Sequence, residues 1–96
     1  MPTAIDAAEI ARTRFIKGEV QAGLVFAADA IQVEDSDPAM AASFRADAED
    51  CYATALRLLR QSTTIHGWSV ELEAMLDELR GRLATFRATR SVWAAA

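Results

Sequence analysis

The sequence predicts an all-α protein, an antiparallel three-helix bundle. Its 96 residues contain only two prolines and four glycines, and they are 52% hydrophobic and 25% charged, a balance that is typical of globular domains. Apolar residues recur at spacings of three and four, whereas runs of β-branched and aromatic residues with period two are missing. We predict one helical domain over residues 1–96, with 91–96 as a C-terminal tail.

Two breaks divide the chain into helices. In EDSDP, Glu34 to Pro38, Asp37 is the expected cap of the second helix and Pro38 its first residue. The polar segment QSTTIHGWS ends at Ser69, a plausible cap of the third helix, and short loops make consecutive helices antiparallel neighbours. The predicted helices are about 3–33, 38–61 and 69–90, and a short coiled coil is the alternative to a bundle.

The second and third helices each carry one clear apolar stripe. In the second helix it comprises Met40, Phe44, Ala48, Cys51, Ala55 and Leu58, widened by Tyr52 and Leu59. In the third helix it comprises Leu72, Leu76, Leu79, Leu83 and Phe86, with Met75 beside them. Such amphipathic helices bury one face against their neighbours.

The first helix is apolar around more of its circumference than one partner surface needs. One predicted face comprises Ala8, Ala11, Phe15, Ala22, Phe26, Ala30 and Val33, extended by Ile5, Ile16, Gly23 and Ala27. Further apolar residues lie on its flanks or beyond: Ile10, Val20, Leu24, Val25 and Ile31. This helix is therefore either central to the bundle or shared with another molecule.

Two glycines and a glutamate interrupt the first helix. Each interior glycine costs about 1 kcal/mol relative to alanine, so Gly18 and Gly23 call for a reason, such as the close approach of another helix. The alternative is that the missing side chains open a cleft beside Glu19.

Glu19 lies within the predicted apolar face, where an unpaired carboxylate is costly. We expect it to pair with an arginine, or to accept a hydrogen bond from the hydroxyl of Tyr52. Candidate arginines are Arg45, Arg82 and Arg87. The alternative is a polar spot in a binding groove.

Charge and composition disfavour several functions. The net charge is −4, with ten acids against four bases in residues 1–50 and four acids against six bases in 51–96, so the acidic first half would repel nucleic acid. Cys51 and His66 are the single cysteine and histidine, too few for a zinc site. Glu-x-x-His pairs and glycine-rich phosphate loops are absent. We therefore predict no enzyme, no metal and no cofactor.

The same features predict a cytoplasmic protein. The first residues, MPTAIDAAEIARTR, have no basic segment followed by an apolar core, as an export signal would. No run of about 18 apolar residues is present to span a bilayer, and a single cysteine cannot form an internal disulfide.

Residues Ala48, Tyr52, Ala55 and Leu56 form the pattern A-x3-Y-x2-A-L, which resembles the second helix of a tetratricopeptide repeat. The resemblance covers about nine residues, without the first-helix signature or a second copy, and it implies only a helical hairpin of that packing style. FIKGEVQAGLVFA, in the first helix, is similar to the first helix of small bacterial all-helical proteins, a likeness that implies no activity.

These features together predict a non-catalytic protein–protein interaction domain. The first helix is the expected interface and self-association, as a homodimer, the first hypothesis. The alternative is a small-ligand or regulatory binding protein with a groove beside Gly18 and Glu19. The residues predicted to form the interface are Phe15, Glu19, Gly23, Phe26 and Trp93.

Overall fold

The computed structural model describes the backbone of residues 4–61 and 70–95 and the side chains of residues 7–61 and 70–86. Within these ranges the chain forms three α-helices: α1 (Ala4–Val33), α2 (Pro38–Gln61) and α3 (Val70–Ala95). They confirm the predicted all-α fold. None of them combines the length and hydropathy needed to cross a membrane.

The boundary between α1 and α2 forms as the residues predict. The side-chain Oδ1 of Asp37 accepts a hydrogen bond from the backbone N–H of Met40 at 3.0 Å, which is the expected N-cap. The N–H of Asp37 in turn donates to the carbonyl of Val33 at 2.7 Å, at the end of α1. The predicted cap of α3, Ser69, lies outside the described residues.

Helix α3 ends at Ala95, five residues later than predicted. The sequence from 82 onward contains neither glycine nor proline, and it finishes in three alanines, the strongest helix formers. The backbone of 91–95, predicted as a tail, is therefore helical.

Helices α1 and α3 run in the same direction. Lys17 of α1 pairs with Glu71 at the start of α3, with 3.1 Å between Nζ and Oε1. Gly23, further along α1, meets Leu79, further along α3.

Helix α2 runs antiparallel to both. Gly23 also meets Cys51, and Phe26 stacks on Phe44 with ring centroids 6.3 Å apart, so residue numbers rise along α1 as they fall along α2. The guanidinium of Arg45 lies 5.8 Å from the ring centroid of Phe86, and that contact connects α2 with the later part of α3.

The core combines a mixture of small and large residues from α1 and α2 with large residues from α3. The buried residues of α1 follow a 4-3-4-3 spacing, which we call the inner stripe: Ile16, Val20, Gly23, Ala27 and Ala30. Helix α2 contributes Ala41, Ala48, Ala55 and Leu59. Helix α3 contributes Leu72, Leu76, Leu79, Leu83 and Phe86, as predicted. Small side chains let α1 and α2 approach closely, and the leucines of α3 fill the groove above them.

The predicted buried face of α1 needs correction. The inner stripe is turned by one residue, about 100° around the helix, from the face centred on Phe15 and Phe26. Phe15 is exposed and Phe26 only partly buried. The contact between α1 and α2, which we call the seam, is lined with alanines on the α2 side. A phenylalanine of α1 is too large for it, whereas Gly23 and Ala27 fit.

Similarly, α2 turns Ala41 inward and leaves the neighbouring Met40 exposed, although Met40 was predicted to belong to the buried stripe. Here too an alanine is buried where a longer side chain was predicted.

The glycines at positions 18 and 23 differ sharply in surroundings, and this difference yields a prediction. A methyl group at Gly23 would lie 2.7 Å from Cδ2 of Leu79 and 3.1 Å from Cβ of Cys51, whereas one at Gly18 would have no atom within 4 Å. Overpacking costs about 1–3 kcal/mol, against a gain of about 1 kcal/mol in helix propensity. We expect Gly23→Ala to lower the free energy of unfolding by about 1 kcal/mol, and Gly18→Ala to raise it by up to about 1 kcal/mol.

Urea unfolding of both variants at one low protein concentration measures the difference. Gly81→Ala is the matched control, because Gly81 of α3 also faces open space and should gain stability as Gly18→Ala does. A Gly23→Ala variant as stable as these two would contradict the packing at Gly23.

Candidate interaction surface on the first helix

A second apolar stripe runs along the side of α1 that faces away from α2 and α3. It follows the same alternation of four and three as the inner stripe. We call it the outer stripe: Ala11, Phe15, Gly18, Ala22 and Val25. Ala22 is partly exposed and the other four residues are exposed. Phe15 and Val25, its two large members, are 57% and 59% exposed.

Gly18 lies at the middle of the outer stripe and meets none of the described residues outside its own helix. No heavy atom lies within 4 Å of the place where a Cβ would be. A mid-helix glycine weakens the helix by about 1 kcal/mol relative to alanine, and at Gly18 no neighbour in the described part of the chain requires one. Gly23 has such a neighbour on both α2 and α3, so the two glycines serve different surfaces.

The first described turns of α1 contain no buried side chain. From residue 7 to residue 15, every side chain is exposed or partly exposed, and Ile16 is the first buried one in the described part of the helix. Most of the stability of helices in proteins comes from the packing of an apolar face, and these turns have little such packing among the described residues. A partner that covers Phe15 would also support these turns.

The predicted interface residues fall on different sides of α1. Phe15 lies on the outer stripe. Gly23 is buried against Leu79 and Cys51, so its surface is covered within the chain. Phe26 is partly buried and stacks on Phe44, which ties it to α2.

The other two predicted interface residues are differently placed. Glu19 is partly buried on the side of α1 that faces α2. The side chain of Trp93 lies outside the described residues, as does that of Arg87, one of the arginines considered as partners of Glu19.

The other two arginines considered for Glu19 bind different carboxylates. Arg45 pairs with Glu34 at 3.7 Å, and Arg82 pairs with Glu78 at 3.1 Å on its own helix. The corrected orientation of α1 explains this, because it moves Glu19 from the middle of the buried face to its edge.

Glu19 instead acts on the thiol of Cys51. Burial raises the pKa of this thiol, and the negative charges of Glu19, Asp47 and Asp50 raise it further. The thiol also donates a hydrogen bond to the Glu19 carboxylate, which favours the protonated form. A thiol that stays protonated is a weak nucleophile, so Cys51 serves here as a small packing residue.

The depressions on the described surface of α2 are small and open. A shallow depression of about 240 Å³ lies along α2, lined by Asp50, Ala53, Thr54 and Arg57. Gly18 and Glu19 point to different sides of α1, the first to open space and the second toward Cys51. Among the described residues, no three histidine, cysteine or acidic side chains come together as metal ligands.

Val25 is the interface candidate that the sequence analysis placed only on a flank. Its signal is the spacing itself, since Val25 follows Ala22 by three residues and Gly18 by seven. Two stripes with this spacing run along α1. The predicted buried face, centred on the large residues Phe15 and Phe26, lies between them.

The environment of Cys51 predicts slow alkylation. We expect the pH midpoint for reaction with iodoacetamide to lie above that of the urea-unfolded chain, because the folded thiol loses its proton less readily. Glu19→Gln removes the largest of the three charge effects on this thiol and should lower this midpoint. Because the pKa of the Cys51 thiol is raised in the folded state, the stability that the thiol contributes is fully present below the ordinary thiol pKa. This stability is lost as the pH rises through the folded value.

Asp77→Asn is the control for this experiment, since Asp77 pairs with Arg80 on the exposed side of α3 and should leave the midpoint unchanged. A midpoint at or below that of the unfolded chain would refute the proposed environment of the thiol.

Comparison with known proteins leaves the function to be argued from the chain itself. No protein-family model, no curated protein and no solved structure matches it. The resemblance to a tetratricopeptide-repeat hairpin therefore stays a prediction.

Proposed function

We propose that this protein is a non-catalytic protein–protein interaction domain that self-associates through the outer stripe of α1. The observation that carries the proposal is the open space at Gly18, flanked by the exposed side chains of Phe15 and Val25. Among the described residues Gly18 and Gly81 both face open space, but Gly18 lies between two large exposed apolar side chains, and a second helix crossing at Gly18 would account for this combination. Close helix crossings use small residues in this way.

The exposed apolar area of the outer stripe supports the same proposal. Phe15 and Val25 are large apolar side chains that lie more than half in water, on the same stripe and about 15 Å apart along the helix at 1.5 Å per residue. Apolar area removed from water contributes about 25 cal/mol per Å². Covering this stripe would also shield the first turns of α1.

The proposal places the protein in the cytoplasm, where a lone thiol stays reduced. Cys51 suits that location as a small interior residue rather than half of a disulfide. The proposed role is in protein assembly rather than catalysis. The partly buried Glu19 and Cys51 agree with this, since they favour a neutral thiol over a reactive thiolate.

Light scattering over a dilution series tests self-association. We expect the measured mass to approach twice the chain mass of 10.4 kDa as concentration rises. Phe15→Asp should raise the dissociation constant by about 100-fold, because a two-fold dimer loses two buried phenylalanines at roughly 1.5 kcal/mol each. Its circular dichroism should stay helical, since Phe15 is not part of the core.

Val70→Asp is the matched control. Val70 is 83% exposed and belongs to α3 rather than to the outer stripe of α1, so its replacement should leave the dissociation constant unchanged. Phe26→Asp is less informative because Phe26 stacks on Phe44. A mass of one chain at every concentration, or equal effects of Phe15→Asp and Val70→Asp, would contradict the proposal.

A further inference from the structure

The outer stripe also indicates how the second copy lies. We infer that two α1 helices cross antiparallel, centred between Gly18 and Ala22, so that Phe15 of each copy packs on Val25 of the other. This arrangement brings Arg14 of each copy within reach of Asp29 of the other. The inference rests on the proposed self-association and adds its direction, register and charge pairing.

The register follows from the symmetry of the stripe. With a two-fold axis at position 20, Gly18 faces Ala22 of the other copy, and Phe15 faces Val25. The smallest residues then meet at the centre, where the helices are closest, and the large side chains meet on either side. A two-fold interface needs a surface that is complementary to itself in this way.

The charges favour the antiparallel direction over the parallel one. Asp29 continues the outer stripe, four residues after Val25. A parallel pair would set Asp29 against Asp29 of the other copy, and like charges that face each other are destabilising. An antiparallel pair sets Asp29 opposite Ala11 of the other copy, whose small side chain leaves room for the carboxylate. Arg14 of that copy lies one helical turn from Ala11.

Arg14 and Asp29 are both available for such a contact. Arg14 is exposed and Asp29 partly exposed, and neither belongs to an ion pair among the described side chains. Lys17 and Arg45, by contrast, pair with Glu71 and Glu34 inside the chain. The antiparallel dimer thus gives Arg14 and Asp29 ion-pair partners that the described residues of their own chain do not supply.

Charge exchange tests the pairing. Arg14→Glu and Asp29→Arg should each raise the dissociation constant, roughly tenfold for two symmetric surface pairs. The double variant should return to within about threefold of the unmodified protein, because the pair is rebuilt with its signs reversed. If the two losses add up in the double variant instead, the proposed pair is refuted.

A distance measurement tests the direction without altering either charge. Gln32 is exposed near the end of α1, and a spin label can be attached in a Gln32→Cys, Cys51→Ala chain. In the antiparallel dimer each Gln32 backbone lies about 18 Å from the axis, at 1.5 Å per residue, so the two are about 36 Å apart. A parallel pair would place them about 10 Å apart.

The outcomes separate the two proposals. A dimer with the long distance and a rescued double variant supports the antiparallel register. A dimer with the short distance refutes the antiparallel arrangement but leaves self-association standing. A monomer at all concentrations, in the unmodified protein as well as the variants, refutes both. Because the charge-exchange series keeps Cys51, it decides the pairing even if the Cys51→Ala chain is unstable.

Discussion

The close contact of three helices at Gly23 determines the rest of the structure. With no side chain there, α1 lies directly against Cys51 of α2 and Leu79 of α3. The alanines of α2 extend this seam in both directions, and the leucines of α3 fill the groove. This packing fixes the rotation of α1 about its own axis, because a side chain at position 23 would collide with Leu79 and Cys51.

That rotation leaves the outer stripe facing away from the core. Phe15 and Val25 are apolar side chains of a size that proteins usually bury, yet the inner stripe already occupies the contact with α2 and α3. Helix α1 therefore has one face that builds the monomer and another that is free to build an assembly. The same rotation puts Glu19 at the edge of the core, where it needs no buried arginine and faces a thiol.

Much of the fold could be predicted from local signals. Asp37 and Pro38 mark the start of α2 because capping and proline chemistry depend on few residues, and the stripe of α3 is unambiguous because leucines dominate it. The rotation of α1 could not be predicted, since two stripes with the same period overlap and periodicity does not say which one meets the partner. Gly18 and Gly23 likewise look equivalent in sequence, and only their neighbours in space distinguish them.

The central claim is that the exposed first turns of α1 gain their support from a second copy. Amide hydrogen exchange, followed by mass spectrometry over a range of protein concentrations, measures this support directly. The account predicts that protection of residues 7–15 rises with concentration, while residues 16–30, which contain the inner stripe, stay protected throughout. Exchange in residues 7–15 that does not change with concentration would contradict it.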